Sequence, residues 1–214
     1  MAADVGVEIL SKAKELGATL AGIARVDLLR QSPSHQLLRQ RGLEVDGIGS
    51  LMRMPDMHEV KWPDVTGSAV VIAVSHPEDK PELDWFTMSG NSPGNQLLID
   101  INRQLAEWIE ETFAIKVYRL PYSVEEGGAF LKDAAHLAGL GSVGRNNLLV
   151  TRELGPRVRL RGMLLDAELE PTGPIRFDPC ADCDDLCRKA CPQNAFSRTV
   201  LSPDEAGTVH LPGR

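Results

Sequence analysis

A chain of 214 residues with 43% hydrophobic and 25% charged side chains can bury a core of its own, which excludes a disordered or collagen-like polypeptide. Its formal net charge of -7 argues against a surface built as a phosphate-binding field, so nucleic acid is not an expected partner. No apolar run approaches the roughly 18 residues of a membrane span, and Met1-Ala-Ala-Asp-Val has no basic region ahead of an apolar one, so a reducing cytoplasm is the expected setting.

Residues 4–17 carry Val5, Ile9, Leu10, Ala13 and Leu16 at helical spacing and stop at Gly17, which predicts an amphipathic helix. A strand from Thr19 to Val26 follows, and Asp27 can cap a short helix from Leu28. Residues 31–66 hold Pro33, Gly42, Gly47, Gly49, Pro55 and Pro63 without a sustained period and read as a long, partly irregular connection. Within it Met52, Met54, Met57 and His58 either line a ligand site or tuck a surface loop into the core. Ser68 to Ser75 is a continuous apolar, β-branched run, expected to be a central strand buried on both faces. His76-Pro77 ends it, and a polar loop with Trp85 and Phe86 runs to Gly94. Leu97, Leu98, Ile101, Leu105, Trp108 and Ile109 then form the apolar stripe of a helix over 95–113.

Ile115 to Leu120 reads as a strand stopped by Pro121. Ser123 and Glu126 have capping-box spacing and predict a helix over 124–138, although Gly127 and Gly128 weaken its first turn. Glycine there fits either close approach to a ligand or tight packing on a neighbour. Gly139-Leu-Gly141-Ser-Val-Gly144 matches the dinucleotide fingerprint, but it follows a helix and leads into a strand at 146–151, the reverse of what the fingerprint requires. It still marks a bend where main chain can touch a ligand. A turn at 152–156 leads into a strand at 157–166, and the simplest arrangement pairs the two strands as a hairpin. Arg145, Arg152, Arg157, Arg159 and Arg161 make this the basic region of an acidic chain, either a solvated face or a site for an anionic ligand or acidic redox partner.

All four cysteines lie in one run, Cys180-Ala-Asp-Cys183-Asp-Asp-Leu-Cys187-Arg-Lys-Ala-Cys191-Pro192. The spacing is one residue longer in the middle than the run of bacterial iron-sulfur ferredoxins, whose terminal Cys-Pro it shares. That points to iron-sulfur chemistry, and with no second cysteine set the limit is one 4Fe-4S cluster on Cys180, Cys183, Cys187 and Cys191. Structural zinc is the alternative, although zinc sites usually show two separated knuckles; disulfides or free thiols are the third. Residues 167–179 read as a linker, and after Pro192 only Phe196, Val200 and Leu201 offer burial, so that segment is expected to need its metal to fold. The expected division is a core over 1–170 and a cluster segment over 171–214.

The block from Lys132 to Leu160, with Ala138-Gly-Leu-Gly141, Gly144-Arg-Asn146 and Gly155-Pro-Arg157, followed by the cysteine run, resembles the epoxyqueuosine reductases and the related corrinoid-dependent reductive dehalogenases. The resemblance implies an α/β (α+β) fold, a nitroreductase-like mixed sheet flanked by helices, with a small C-terminal ferredoxin-like iron-sulfur segment. It implies cobalamin in the core, with Gly139, Leu140, Gly141, Ser142, Val143, Gly144, Arg145 and Asn146 against the corrinoid. Glu125 and Glu126 fall near the place of the family's acidic proton donor. Those reductases carry a second cluster, whereas this sequence has a single cysteine run. The expected function is an oxidoreductase passing electrons from one cluster to a corrinoid or other cofactor, acting on a small-molecule substrate or a redox partner protein. A non-catalytic electron-transfer or corrinoid-handling accessory protein, and a zinc-stabilised α/β protein, are the alternatives.

Overall fold

The computed structural model describes residues 2–47, 50–54, 56–64, 67–85, 87 and 91–192. Phe86, Phe196, Val200 and Leu201, which the sequence singles out, lie outside them. The chain opens with Ala2–Glu15 (α1), where Ile9 and Ala13 are fully buried. Leu20–Arg25 (β1) follows, then the helices Val26–Arg30 (α2) and Pro33–Arg41 (α3). Leu43–Gly47 (β2) pairs antiparallel with Ser50–Met54 (β3). Residues 31–66 are thus more regular than expected: Ser32 stands at the N-cap of α3 with Pro33 behind it in the first turn, where its missing N–H costs nothing.

Ser68–Ser75 (β4), Pro93–Phe113 (α4) and Val117–Arg119 (β5) fall close to where their apolar patterns put them. The helix expected over 124–138 is instead a 3-10 turn at Val124–Glu126 and a separate helix, Leu131–Leu137 (α5). Gly127 breaks it, with φ of 98°, and Gly128 is pressed against the carbonyls of Pro121 and Ser123, so of the two readings for these glycines local packing applies. Ser142–Val143 (β6), Leu149–Val150 (β7), Val158–Leu165 (β8) and the short Leu186–Lys189 (α6) complete the described elements.

The main sheet has the order β1-β4-β8-β5, every pairing antiparallel. The expected hairpin between 146–151 and 157–166 is therefore absent: β7 pairs with β6, and only a Thr151–Gly155 bridge closes the turn. The reason is burial, because residues 162–165 of β8 are buried and a two-stranded ribbon would leave them wet. β4 is central, as its composition predicts. Val70, Ile72 and Val74 face one core layer with Ile9, Leu98, Ile101, Leu105 and Ile109, while Ala69, Val71 and Ala73 face the other with Leu29, Ala134 and Ala135. Helices cover both faces of the sheet, the expected α/β architecture.

Candidate functional site

The glycine bend after α5 is held from behind by the linker. Thr172 donates its hydroxyl hydrogen to the Ala138 carbonyl at 2.6 Å and accepts from the Ile23 N–H at 2.8 Å, while its own N–H donates to the Ile23 carbonyl at 3.0 Å. Residue 139 has φ of 78°, and a Cβ there would come within 2.8 Å of the Thr172 carbonyl oxygen. A Cβ on Gly141 would collide with the Val150 carbonyl, and one on Gly173 with the main chain of Gly139. The chain itself fills the space that glycine leaves at 139 and 141, which gives these residues a packing role.

The far side of the bend meets the cysteine run. Ser142 donates from Oγ to the Phe177 carbonyl at 2.5 Å, and the Arg152 guanidinium lies 4.8 Å over the Phe177 ring. The Arg145 N–H donates to Cys180 Sγ at 3.3 Å, and its guanidinium pairs with Asp185 at 2.9 Å, which holds the Asp185 carboxyl below its ordinary pKa. Gly144 also borders Cys180: a Cβ there would sit 3.7 Å from the sulfur. Leu140 and Val143 are buried in the bend, and Asn146 Oδ1 accepts from the Leu148 N–H at 3.1 Å. Cys180 is buried, Cys191 half-buried, and Cys183 and Cys187 exposed. Among the described residues no three His, Cys, Asp or Glu side chains stand together as a metal cage. The donor set nevertheless fits an iron-sulfur group: four thiols within twelve residues are available, and the first already receives an N–H, the kind of hydrogen bond that stabilises a cluster-bound sulfur. For a corrinoid the glycines at 139 and 141 offer no cradle of their own.

Glu125 is half-buried and Glu126 exposed on the 3-10 turn between β5 and α5. The arginines of the basic stretch are largely engaged. Arg159 pairs with Asp84 at 2.6 Å, Arg157 donates to the His76 carbonyl at 2.9 Å, and Arg152 donates to the Arg176 carbonyl at 3.3 Å. Burial pushes the Asp84 carboxyl up, but Arg159 and His76 together hold it below its ordinary value. Of the methionine group, Met52 and Met54 fall on β3, Met57 packs against the buried Leu38 and Val60 cluster, and His58 Nδ1 lies 3.0 Å from the Arg39 carbonyl. The sequence reading missed Asp133, whose Oδ2 accepts from Ser32 Oγ at 2.8 Å and from the Ser34 N–H at 2.9 Å, capping α3 from α5. Its signal was an acid beside the small apolar pair Ala134 and Ala135, with which it forms the buried centre of α5.

No family model matches the chain. An epoxyqueuosine reductase from Leadbetterella byssophila is 27% identical over 211 residues, covering 91% of this chain and 65% of that protein. A tetrachloroethene reductive dehalogenase from Dehalobacter restrictus is 40% identical over 82 residues, covering 35% of this chain and 15% of the dehalogenase. Among solved structures, an epoxyqueuosine reductase crystallised with a tRNA-Tyr epoxyqueuosine-modified stem loop superposes with a TM-score of 0.63 at 22% identity, covering 91% of this chain and 53% of that one. The chain thus spans less than two thirds of each of these proteins. Among the described residues no helix is long and apolar enough to cross a membrane. The resemblance read from the 132–160 block and the cysteine run extends along 91% of the chain, which is a relative of the epoxyqueuosine reductases and shares their fold.

Proposed function

We propose that the chain is an iron-sulfur oxidoreductase of the epoxyqueuosine-reductase-like kind, with a core over 1–170 and a cluster segment over 171–214. Cys180, Cys183, Cys187 and Cys191 would hold one 4Fe-4S cluster, and the bend over residues 139–146 would border a corrinoid or other cofactor of the core, with Gly139 and Gly141 shaping the bend by packing rather than cradling that cofactor. When bound, the cluster supplies single electrons at low potential, and a corrinoid supplies a reducible cobalt. The observation that carries the reading is the double tie of Arg145 to Cys180 and Asp185, at 3.3 and 2.9 Å, which fastens the bend to the cysteine run. An N–H aimed at a cluster-bound sulfur tunes the cluster. Ser142 and Arg152 hold residues 176–177 just ahead of the run, so with Arg145 they fasten its N-terminal half to the bend. Glu125, half-buried, is the better-placed proton donor of the two glutamates, and Glu126 is its exposed neighbour.

The charge argument against nucleic acid loses force beside a structural neighbour crystallised with a tRNA stem loop, and such a stem loop is the first substrate to try. The electron-carrier alternative, whose cue is the single cysteine run, would pass electrons through the basic stretch, where Arg157 and Arg159 are bonded within the chain.

The test is metal content per chain after purification without air, incubation with cobalamin and desalting. About four irons with cobalt retained is the expected result. Iron without cobalt would move the reading to an electron carrier, and zinc alone would overturn it. With both metals retained, Glu125→Gln should lower turnover by about 100-fold, and unchanged turnover would remove Glu125 as the proton donor.

A further inference from the structure

Of the basic stretch, Arg161 is the arginine whose guanidinium meets no carboxylate and no hydrogen-bond acceptor among the described residues; the Tyr122 ring lies 5.7 Å from it, and its Nε is buried without a partner. The register explains the space around it. Arg119 of β5 pairs with Met163 of β8, and the Leu120 N–H reaches the Gly162 carbonyl at 3.3 Å, so the next residue, Pro121, falls opposite Arg161. Proline has no N–H to give, so the ladder stops and the edge of β8 opens. On β4 the residue opposite Arg161 is Ile72, which belongs to the α4-side core layer, so the Arg161 side chain lies on the face covered by α4. There Asn102 of α4 is 4% exposed, and its Oδ1 is also buried without a partner.

Asn102 and Arg161 line one notch of about 410 Å³, bordered also by Ile99, Arg119, Leu120 and Pro121. That volume falls in the lower part of the roughly 300–1,000 Å³ range of small-molecule sites. Two buried polar atoms of opposite hydrogen-bonding sense at one opening are costly unless something satisfies both. We propose that this notch binds a small organic oxyanion, a carboxylate or a phosphomonoester that also carries a hydrogen-bond donor. Arg161 takes the anion, in the planar geometry its guanidinium provides, and Asn102 Oδ1 accepts from the donor. Arg119 adds a second cation at the rim. Burial holds the Arg161 guanidinium below its ordinary pKa, as expected of a cation whose lost hydration no carboxylate replaces. The site is separate from the cysteine run and does not rest on the proposed activity.

The experiment is a titration of the full chain, in buffer free of carboxylate and phosphate, followed at the Arg161 Nε–H resonance in nitrogen-15 NMR and assigned with Arg161→Lys. Lactate and glycerol 3-phosphate are the probes, with lactamide and glycerol as their uncharged counterparts. A saturable shift with lactate, glycerol 3-phosphate or both is expected, with none from the uncharged pair, and which probe acts identifies the anion. Asn102→Asp, nearly isosteric but repelling an anion, should weaken binding at least roughly tenfold. No saturation with either anion, or equal shifts from the uncharged compounds, overturns the proposal.

Discussion

His35 is 4% exposed and stands between the rings of Trp62 and Phe130, at 5.1 and 5.0 Å, with its Nε2 unpartnered. Burial there lowers its pKa from 6.5 to about 4, against the pull of Asp133 and with Arg39 and Arg30 adding to the fall. The folded chain thus refuses a proton that the unfolded chain accepts. Stability from this group is complete above pH 6.5 and is lost as pH drops towards 4, by up to about 3 kcal/mol. Urea unfolding at intervals between those pH values should show that slope in the parent and a much flatter one in His35→Phe. Equal slopes would mean that other groups carry the acid sensitivity. The sequence could not have marked His35, because the five histidines are scattered and burial of this one depends on Trp62 and Phe130, far away in the chain.

Among the elements, β4 and α4 were legible because each announces itself locally: a continuous β-branched run, and an apolar stripe with helical period. The place of β8 was not, since its own pattern fits an edge hairpin as well as an interior strand, and only pairing with β4 decides between them. The bend was legible as a turn but not as a packing seam, because the atoms that fill it come from residues 150–151 and 172–173. Thr172 is the element-scale test. Thr172→Val keeps the shape but strands the Ile23 N–H and the Ala138 carbonyl, and should cost about 2–3 kcal/mol in urea unfolding. Thr172→Ser keeps the hydroxyl and should lie close to the parent; a valine variant as stable as the parent would show that water replaces these bonds.

For the whole molecule, the cysteines were the plainest message of the sequence, yet their attachment was invisible, because Arg145 and Asp185 are 40 residues apart. The described core rests on two apolar layers about β4, neither of which includes Cys183, Cys187 or Cys191. With the proposed cluster bound, stripping it with a chelator should therefore leave far-UV circular dichroism almost unchanged while trypsin cleaves faster after Arg188 and Lys189 in α6. A large loss of helical signal on chelation would mean that the core and the cysteine run fold as one cooperative unit.

The seam between β1, the bend and the linker also has a consequence for inheritance. Side-chain atoms at Gly22 would strike Ala138 and Thr172, and those at Gly139 and Gly173 would strike each other's main chain, so three positions scattered over 150 residues share one small volume. These clashes are chiefly with main chain, which no second substitution removes, so across descendants of this sequence positions 22, 139 and 173 should all stay glycine. Chimeras with a junction between residues 25 and 130 should assemble when both parents carry the same small residues there, and a bulkier residue from either parent would prise the linker off the sheet.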